Sequence, residues 1–356
     1  MVFSETLEAW YNENGRILPW RETQNPYNVW VSEIILQQTR VEQGRAYYER
    51  FLNNFPDVAH LAAAPLDHVM RVWEGLGYYS RARNMHCAAQ QIVERGGFPT
   101  TFEDLRKLKG VGEYTAAALA SFCFGEAKAV VDGNVYRVLA RYYGIDTPID
   151  TTVGKREFAE LAQTVMDKRN PALYNQAIMD FGAMQCTPKG CNCSACPFVD
   201  SCRAYAEKRV EDLPQKSKRT TVSVRHLIYI ILENTEGKIL IHRRTDKDIW
   251  QGLYEPLLFE PESSFEEFQI IPNLLHWLTD YGCKMSARSL RIDRHLEGLR
   301  HQLTHRTLVA QAYHIRILNA NDLPPMEDYQ WVKPEDMEQY GFPKLVNNIF
   351  SLMNIR

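Results

Sequence analysis

Cys186, Cys193, Cys196 and Cys202 form a C-x6-C-x2-C-x5-C run, four thiols inside one short, loop-like segment. Two cysteines separated by two residues have the spacing from which a turn brings both sulfurs onto one metal centre or cluster. The run fits an iron–sulfur cluster. A four-thiolate zinc site is the alternative, although zinc sites more often pair two short knuckles than use one uneven run. A disulfide framework does not fit, because Cys87, Cys123, Cys191 and Cys283 are scattered and the N-terminal residues have neither the basic nor the apolar stretch of an export signal. Cys191 lies inside the run but breaks its pattern, so it is not counted as a ligand.

A second set of residues lies upstream. Leu108-Lys109-Gly110-Val111-Gly112 precedes the Ala-rich stretch Tyr114-Thr115-Ala116-Ala117-Ala118-Leu119. Glycines at the mouth of a helix let backbone N–H groups face a phosphate, and the helix dipole adds attraction, so Gly110 and Gly112 are candidate phosphate contacts. A helix-hairpin-helix element holds DNA in this way without reading its sequence. A tight turn between packed helices leaves the same pattern. Further along, Asp132 sits in Val130-Val131-Asp132-Gly133-Asn134-Val135. An Asp between apolar residues and a glycine is also a common helix cap.

These residues need a scaffold. Residues 31–40, 66–74, 81–95 and 114–124 carry apolar side chains at helical spacing, punctuated by Gly75, Gly77, Gly96-Gly97, Pro99 and Gly110. Residues 1–213 are therefore predicted to be mostly α-helical. Residues 214–226 form a basic, acid-free stretch that reads as a linker. Beyond it, 226–232 and 238–244 read as strands joined by a turn at 234–237, 307–317 as a further strand, and 265–281 and 343–354 as helices. Residues 227–356 thus make an α+β domain. The 356 residues, 45% hydrophobic and 24% charged, suit two globular domains. No apolar run approaches the roughly 18 residues of a bilayer span, so no membrane contact is expected. The net charge of −3 gives no global sign of nucleic acid, which leaves that question to local features. Free thiols together with a cluster imply a reducing cytoplasm.

Glycine turn, Asp, then four-cysteine run is the order of the endonuclease III superfamily of DNA base-excision glycosylases, which residues 10–202 resemble. The similarity is closer to the adenine DNA glycosylases (the MutY family). It is carried by Leu18-Pro19-Trp20-Arg21, by Trp30-Val31-Ser32-Glu33-Ile34-Ile35-Leu36-Gln37-Gln38-Thr39 and by Gly75-Leu76-Gly77-Tyr78-Tyr79-Ser80-Arg81-Ala82-Arg83-Asn84. Val131-Asp132-Gly133-Asn134-Val135 and Asn175-Gln176-Ala177-Ile178-Met179-Asp180 complete it.

Glu33 lies in an otherwise apolar stretch, where burial raises a carboxyl pKa. The resemblance implies that Glu33 protonates N7 of adenine and that Asp132 faces C1′ as positive charge develops there. Opposite charges about 4 Å apart attract by roughly 4 kcal/mol at an effective dielectric of about 20, or about three decades in rate. Asn134 is implied to orient the sugar or Asp132. Strand-cutting relatives place a Schiff-base Lys where this chain has Tyr114, so the resemblance implies a monofunctional glycosylase with water completing the reaction. Gln38 and Tyr78 are implied to wedge the opened duplex near the opposite base. Arg21, Trp30 and Gln176 are implied to line the adenine pocket. The cluster is read as structural, a [4Fe-4S] group that pins the segment after Cys186 so that Lys189 and Arg203 approach phosphates.

The last third resembles the C-terminal domain of the same family, itself similar to Nudix hydrolases, through Gly237-Lys238-Ile239-Leu240-Ile241 and Trp250-Gln251-Gly252-Leu253-Tyr254-Glu255. A working Nudix box needs a Glu six residues after its first Gly. Leu258 stands there, so no pyrophosphohydrolase activity is expected. The implied task is recognition of 8-oxoguanine opposite the adenine. Where the family has a Phe-Ser-His loop this chain has Leu303-Thr304-His305, which keeps a hydroxyl and a ring donor but loses the aromatic. Lys109 likewise replaces a Pro of the family's glycine turn. The expected protein is a monomer acting on double-stranded DNA with adenine opposite 8-oxoguanine or guanine. Two rivals remain. One is a bifunctional endonuclease III-like glycosylase/lyase, opposed by Tyr114; the other is a non-enzymatic iron–sulfur DNA-binding or redox protein, opposed by Glu33 and Asp132 together.

Overall fold

The computed structural model describes residues 3–217, 222–262, 266–283, 285–319 and 328–355. The chain divides into two compact units, residues 1–64 with 84–219 and residues 65–83 with 220–356. In chain order the helices are α1 (Phe3–Asn14), α2 (Pro26–Leu36), α3 (Val41–Asn54), α4 (Val58–Ala63), α5 (Leu66–Val72), α6 (Ser80–Glu94), α7 (Phe102–Leu105) and α8 (Glu113–Phe124). They continue as α9 (Gly133–Tyr143), α10 (Thr152–Val165), α11 (Pro171–Asp180) and α12 (Arg203–Ala206). Among the described residues, no helix is long and apolar enough to cross a membrane.

Local chemistry fixes the helix ends that matter for the site. The helix expected at 31–40 instead starts at Pro26, because Asn25 caps the Tyr27 N–H and Pro26 presets the first turn. It stops at Leu36, and Gln38 adopts a left-handed φ of 63°. Helix α8 opens directly after Gly112 and closes on left-handed Gly125. Helix α9 is capped by Asp132 and closes on left-handed Gly144. At the end of α11 the chain widens into a π-helical turn, Phe181–Gln185, that leads into the cysteine segment. Residues 214–217 are not a free linker: the Ile149 N–H donates to the Gln215 carbonyl and the Ser217 N–H to Asp150 Oδ1. Residues 218–221 of the expected linker lie outside the described residues, and Ser223 already begins a strand.

The second unit is built on a mixed sheet of β1 (Ser223–Glu233), β2 (Ile239–Arg243), β3 (Tyr254–Glu255), β4 (Leu257–Phe259), β5 (Leu290–Gln302), β6 (Arg306–Ile317) and β7 (Tyr329–Val332). Its order is β3-β2-β1-β6-β5, with β4 on β1 and β7 on β2, and β1 runs parallel to β6. Alternate residues of β1 serve opposite faces, as strand geometry requires. Leu227, Tyr229 and Ile231 pack with Leu345, Val346 and Ile349 of α14 (Lys344–Leu352), whereas Ile228, Ile230 and Leu232 pack with Ile270, Leu274 and Leu278 of α13 (Glu267–Asp280). A sheet buried on both faces explains why β1 reads as one apolar run.

Candidate active site and cysteine loop

Glu33 sits near the end of α2, where its neighbours Ser32, Ile34 and Ile35 are buried and it is itself only 9% exposed. Burial lifts its carboxyl to about 7; a hydrogen bond with Tyr114 and the charge of Arg21 work the other way, and Asp132 adds to the rise. The Tyr114 hydroxyl lies 3.2 Å from Met179 Sδ, and its hydrogen bond with Glu33 favours the Glu33 carboxylate against the burial. Asp132 is the N-cap of α9. Its Oδ1 accepts the N–H groups of Asn134 and Val135, both at 2.8 Å, and its Oδ2 accepts from Asn134 Nδ2 at 2.9 Å. Burial raises the Asp132 pKa too, but these donors stabilise the carboxylate against it. Tyr114 feels both carboxyls and also lines a cleft of about 670 Å3 with Val131, Tyr136 and Lys128. Tyr114 thus lies within electrostatic reach of both acids, one lifted to about 7 and the other raised by burial against the pull of three donors.

Behind Asp132 stands a pair of buried arginines on α9 that the spacing alone did not single out. Arg137 donates to Asn134 Oδ1 at 2.7 Å, to the Gly182 carbonyl at 2.5 Å and to the Cys186 carbonyl at 2.7 Å. Gly182 lies in the π-helical turn, where a Cβ would come within 2.6 Å of Asn134 Cβ, so only glycine lets the turn press on Asn134. One turn on, Arg141 donates to the carbonyls of Leu213 and Thr187 and lies 3.4 Å from Cys186 Sγ and 3.6 Å from Cys191 Sγ. The sequence carried a signal: arginines at i and i+4 in a helix whose other buried residues are Val135, Val138, Leu139 and Ala140 must find acceptors.

Cys186, Cys193, Cys196 and Cys202 line one cavity of about 30 Å3, and Cys191 lines it with them. Burial and the neighbouring thiols push Cys193 up to about 12 and Cys196 up to about 11. Among the described residues no three His, Cys, Asp or Glu side chains converge as they would on a single ion. Five sulfurs lining a small void, two of them beside Arg141, are a soft donor set able to hold iron. Arg203, expected near phosphates, is ion-paired with Glu207 at 2.7 Å, and its stem packs on Gly144. Cys191, set aside on spacing because it breaks the pattern, lines the same cavity.

Arg21 is spoken for. It grips Asp180 through both terminal nitrogens at 2.7 and 2.8 Å, and Arg16 grips the same carboxylate. Asp180 is fully buried; burial alone would raise its pKa, but the arginine hydrogen bonds hold it down at about 2. Tyr11 joins this network, donating to Gln176 Oε1 at 2.8 Å. Trp30 shows no surface at all, packing edge-on against Tyr27 and Phe98 with its indole Nε1 buried and unpaired. Among the expected pocket residues, Arg21 and Gln176 thus come together through Tyr11, while Trp30 lies in the core. Gln38 is exposed just past α2.

Gly110 has a φ of 76°, and a Cβ there would stand 2.5 Å from Asn84 Cβ; Gly112 is extended, with open space around it. In the second unit, Leu303, Thr304 and His305 make the tip of the β5–β6 hairpin, closed by the Leu303 N–H donating to the Arg306 carbonyl. Thr304 Oγ1 hydrogen-bonds the Tyr78 hydroxyl. Tyr78 is 46% exposed at a φ of 45°, a strained conformation for a bulky residue. These residues border one cavity of about 580 Å3 with Trp250 and His301.

Residues 31–164 match the family described as HhH-GPD superfamily base excision DNA repair protein, and residues 228–352 match the NUDIX domain. The chain is 32% identical to an adenine DNA glycosylase of Buchnera aphidicola subsp. Schizaphis graminum, over 99% of this chain and 98% of that protein. It is 30% identical to the Homo sapiens adenine DNA glycosylase over 98% of this chain and 73% of the relative. Of solved structures, a thermostable thymine-DNA glycosylase superposes with a TM-score of 0.54 at 28% identity, covering 58% of this chain and 95% of its own. A non-covalent endonuclease III–DNA complex shares the fold at a TM-score of 0.50 and 21% identity, over 58% and 99%. Similarity that runs nearly end to end in both chains, through the unit that holds Glu33 and Asp132 and the unit that holds the hairpin, means that this chain belongs to the adenine DNA glycosylase family.

Proposed function

We propose that this chain removes adenine paired with 8-oxoguanine, and with guanine, from double-stranded DNA by hydrolysing the N-glycosidic bond, without cutting the backbone. The meeting of Glu33 and Asp132 around Tyr114 carries the reading. A carboxyl with a pKa near 7 is matched to give a proton to adenine N7 at neutral pH. As the base leaves, positive charge grows at the sugar, and the Asp132 carboxylate, oriented by Asn134, stabilises it. Water then completes the hydrolysis. No amine stands at Tyr114 to form a Schiff base, which separates this reading from a lyase.

The cavity shared by Tyr78, Thr304 and His305 supports recognition of the opposite base. The Thr304 hydroxyl and the His305 ring supply polar contacts, and Trp250 supplies an aromatic wall where Leu303 has none. Cys186, Cys193, Cys196 and Cys202 are the residues that would hold a [4Fe-4S] cluster, whose iron–thiolate bonds, when it is bound, fix the loop on which Arg137 and Arg141 lean. The free thiols accord with a cytoplasmic setting, and the protein is read as a monomer there.

A duplex with one adenine opposite 8-oxoguanine tests the function. The expected result is a strand break at that adenine only after alkali. A break without alkali would establish the lyase instead, and no break with or without alkali would refute adenine removal.

A further inference from the structure

The cysteine cavity is lined by five thiols, not four, the fifth being Cys191. Cys191 and Cys193 flank Asn192 in a tight reversal closed by the Cys193 N–H on the Cys191 carbonyl at 3.0 Å. Asn192 is anchored outward: its carbonyl accepts from Gln185 Nε2 at 2.8 Å, and its side chain accepts from Ser194 Oγ at 2.8 Å. With the middle residue pinned, both flanking sulfurs face the cavity, only 3.7 Å apart. Arg141 treats Cys191 as it treats the ligand Cys186, lying 3.6 Å from one sulfur and 3.4 Å from the other.

We propose that Cys191 is an alternative ligand, interchangeable with Cys193, so that the cluster is held by Cys186, Cys196, Cys202 and either member of the pair. The inference rests on the iron–sulfur reading above. Exchange is redox-neutral. The Cys191 thiol gives its proton to solvent as its sulfur bonds iron, and the Cys193 sulfur takes up a proton as its bond to iron breaks. The pair would let the site survive damage to either sulfur, which a strict four-cysteine site does not.

The test uses the full chain purified anaerobically, with iron and acid-labile sulfide counted per chain and native thiols alkylated with iodoacetamide and mapped by mass spectrometry. C191S and C193S are each expected to keep the wild-type iron and sulfide content. C191S/C193S and C196S are expected to lose it by about tenfold or more, because a lost thiolate cannot be replaced. In C193S the Cys191 sulfur should become protected from alkylation. In the wild type, early label should divide between Cys191 and Cys193. A folded C193S that holds no iron, judged by unchanged far-ultraviolet circular dichroism, would overturn the proposal. So would wild-type label confined to Cys191, a result that needs no variant to fold. A wild-type protein without iron or sulfide would overturn the cluster reading itself, an outcome distinct from either.

Discussion

The guanidinium of Arg137 donates to Asn134 Oδ1 at 2.7 Å, and its Nε donates to the Cys186 carbonyl at the same distance. Asn134 in turn donates to Asp132 Oδ2 at 2.9 Å, so three hydrogen bonds join the first cysteine of the loop to the carboxylate proposed to face the sugar. This gives the loop a route into the chemistry that does not require it to touch substrate.

Arg137→Ala should therefore slow adenine release. Hydrogen bonds to a charged group contribute about 1.5–3 kcal/mol, which corresponds to roughly 10- to 100-fold in single-turnover rate. Removing the cluster from the wild type by chelation should slow it in the same direction, whereas chelation should add little to Arg137→Ala, because the two act through one chain of contacts. Independent, additive losses in single-turnover assays would sever this connection.

Glu33 governs the pH response. Its folded-state pKa is raised to about 7, so the neutral acid persists through mildly acidic pH and excision should decline as pH climbs above that value. On the acid side, activity should fall as Asp132 takes up a proton. Glu33→Gln should reduce excision by about 10²- to 10⁴-fold with DNA binding retained. Stability also falls with rising pH. The native state gains from a raised carboxyl only below its unfolded pKa and loses that gain as pH rises to about 7, roughly 3 kcal/mol in all. Glu33→Gln should thus match the wild type in urea at low pH and exceed it above neutrality. An equal midpoint at both ends would mean that Glu33 is solvated.

Much of this was legible in the chain because it is written locally. Asp132 next to Gly133 is both an N-cap and a catalytic candidate, and the structure gives it the capping geometry while leaving it beside Tyr114. The order of glycine turn, Asp and cysteines needs no tertiary knowledge. What stayed hidden depends on contacts between distant segments. Asp180 lay inside a quoted motif, yet nothing local says that Arg16 and Arg21 converge on it. Strand β5 escaped notice because Leu290–Gln302 is largely exposed and charged, with register shifts that break alternation. Trp30 looked like a pocket wall, but its all-round burial follows from α2 being enclosed by α3 and α8.

The Asp180 ion cluster is expected to be the largest single polar contribution to the helical unit. Replacing it as Asp180→Asn strands two arginines beside a neutral amide, and breaking one side of a buried pair costs about 3–5 kcal/mol. The contribution is complete above the ordinary carboxylate pKa and vanishes as pH falls toward 2. Urea unfolding at neutral pH checks the size. A loss comparable to that of an exposed pair such as Arg156–Glu160 would show that the cluster is solvated.

Tyr78 and Thr304 form a direct hydroxyl contact in the cavity proposed for the opposite base. Tyr78→Phe keeps the ring and removes that contact, so the preference for 8-oxoguanine over guanine should fall by a few-fold, the equivalent of about 1 kcal/mol. His305→Ala, which removes a ring donor from the same cavity, should narrow it as well. Paired measurements of excision opposite each base decide the matter, and unchanged ratios in both variants would move recognition elsewhere.

The two glycines of the 108–112 turn make a matched experiment, because the same substitution meets different physics two residues apart. Gly110 combines a φ of 76° with a Cβ position 2.5 Å from Asn84 Cβ, a contact no real side chain makes. Gly110→Ala must therefore either strain the backbone or push α6 aside, a cost of about 1–3 kcal/mol that should also displace the N–H groups at the mouth of α8. Gly112 has a φ of −86° and nothing near its Cβ position, so Gly112→Ala should fold normally. Binding to an undamaged duplex, followed as a function of salt, separates stability from phosphate contact. Gly110→Ala should weaken binding and flatten the slope, since lost phosphate contacts release fewer counterions. Gly112→Ala should keep the slope. If both variants keep it, the turn is a packing device between α6 and α8, and phosphates are held elsewhere.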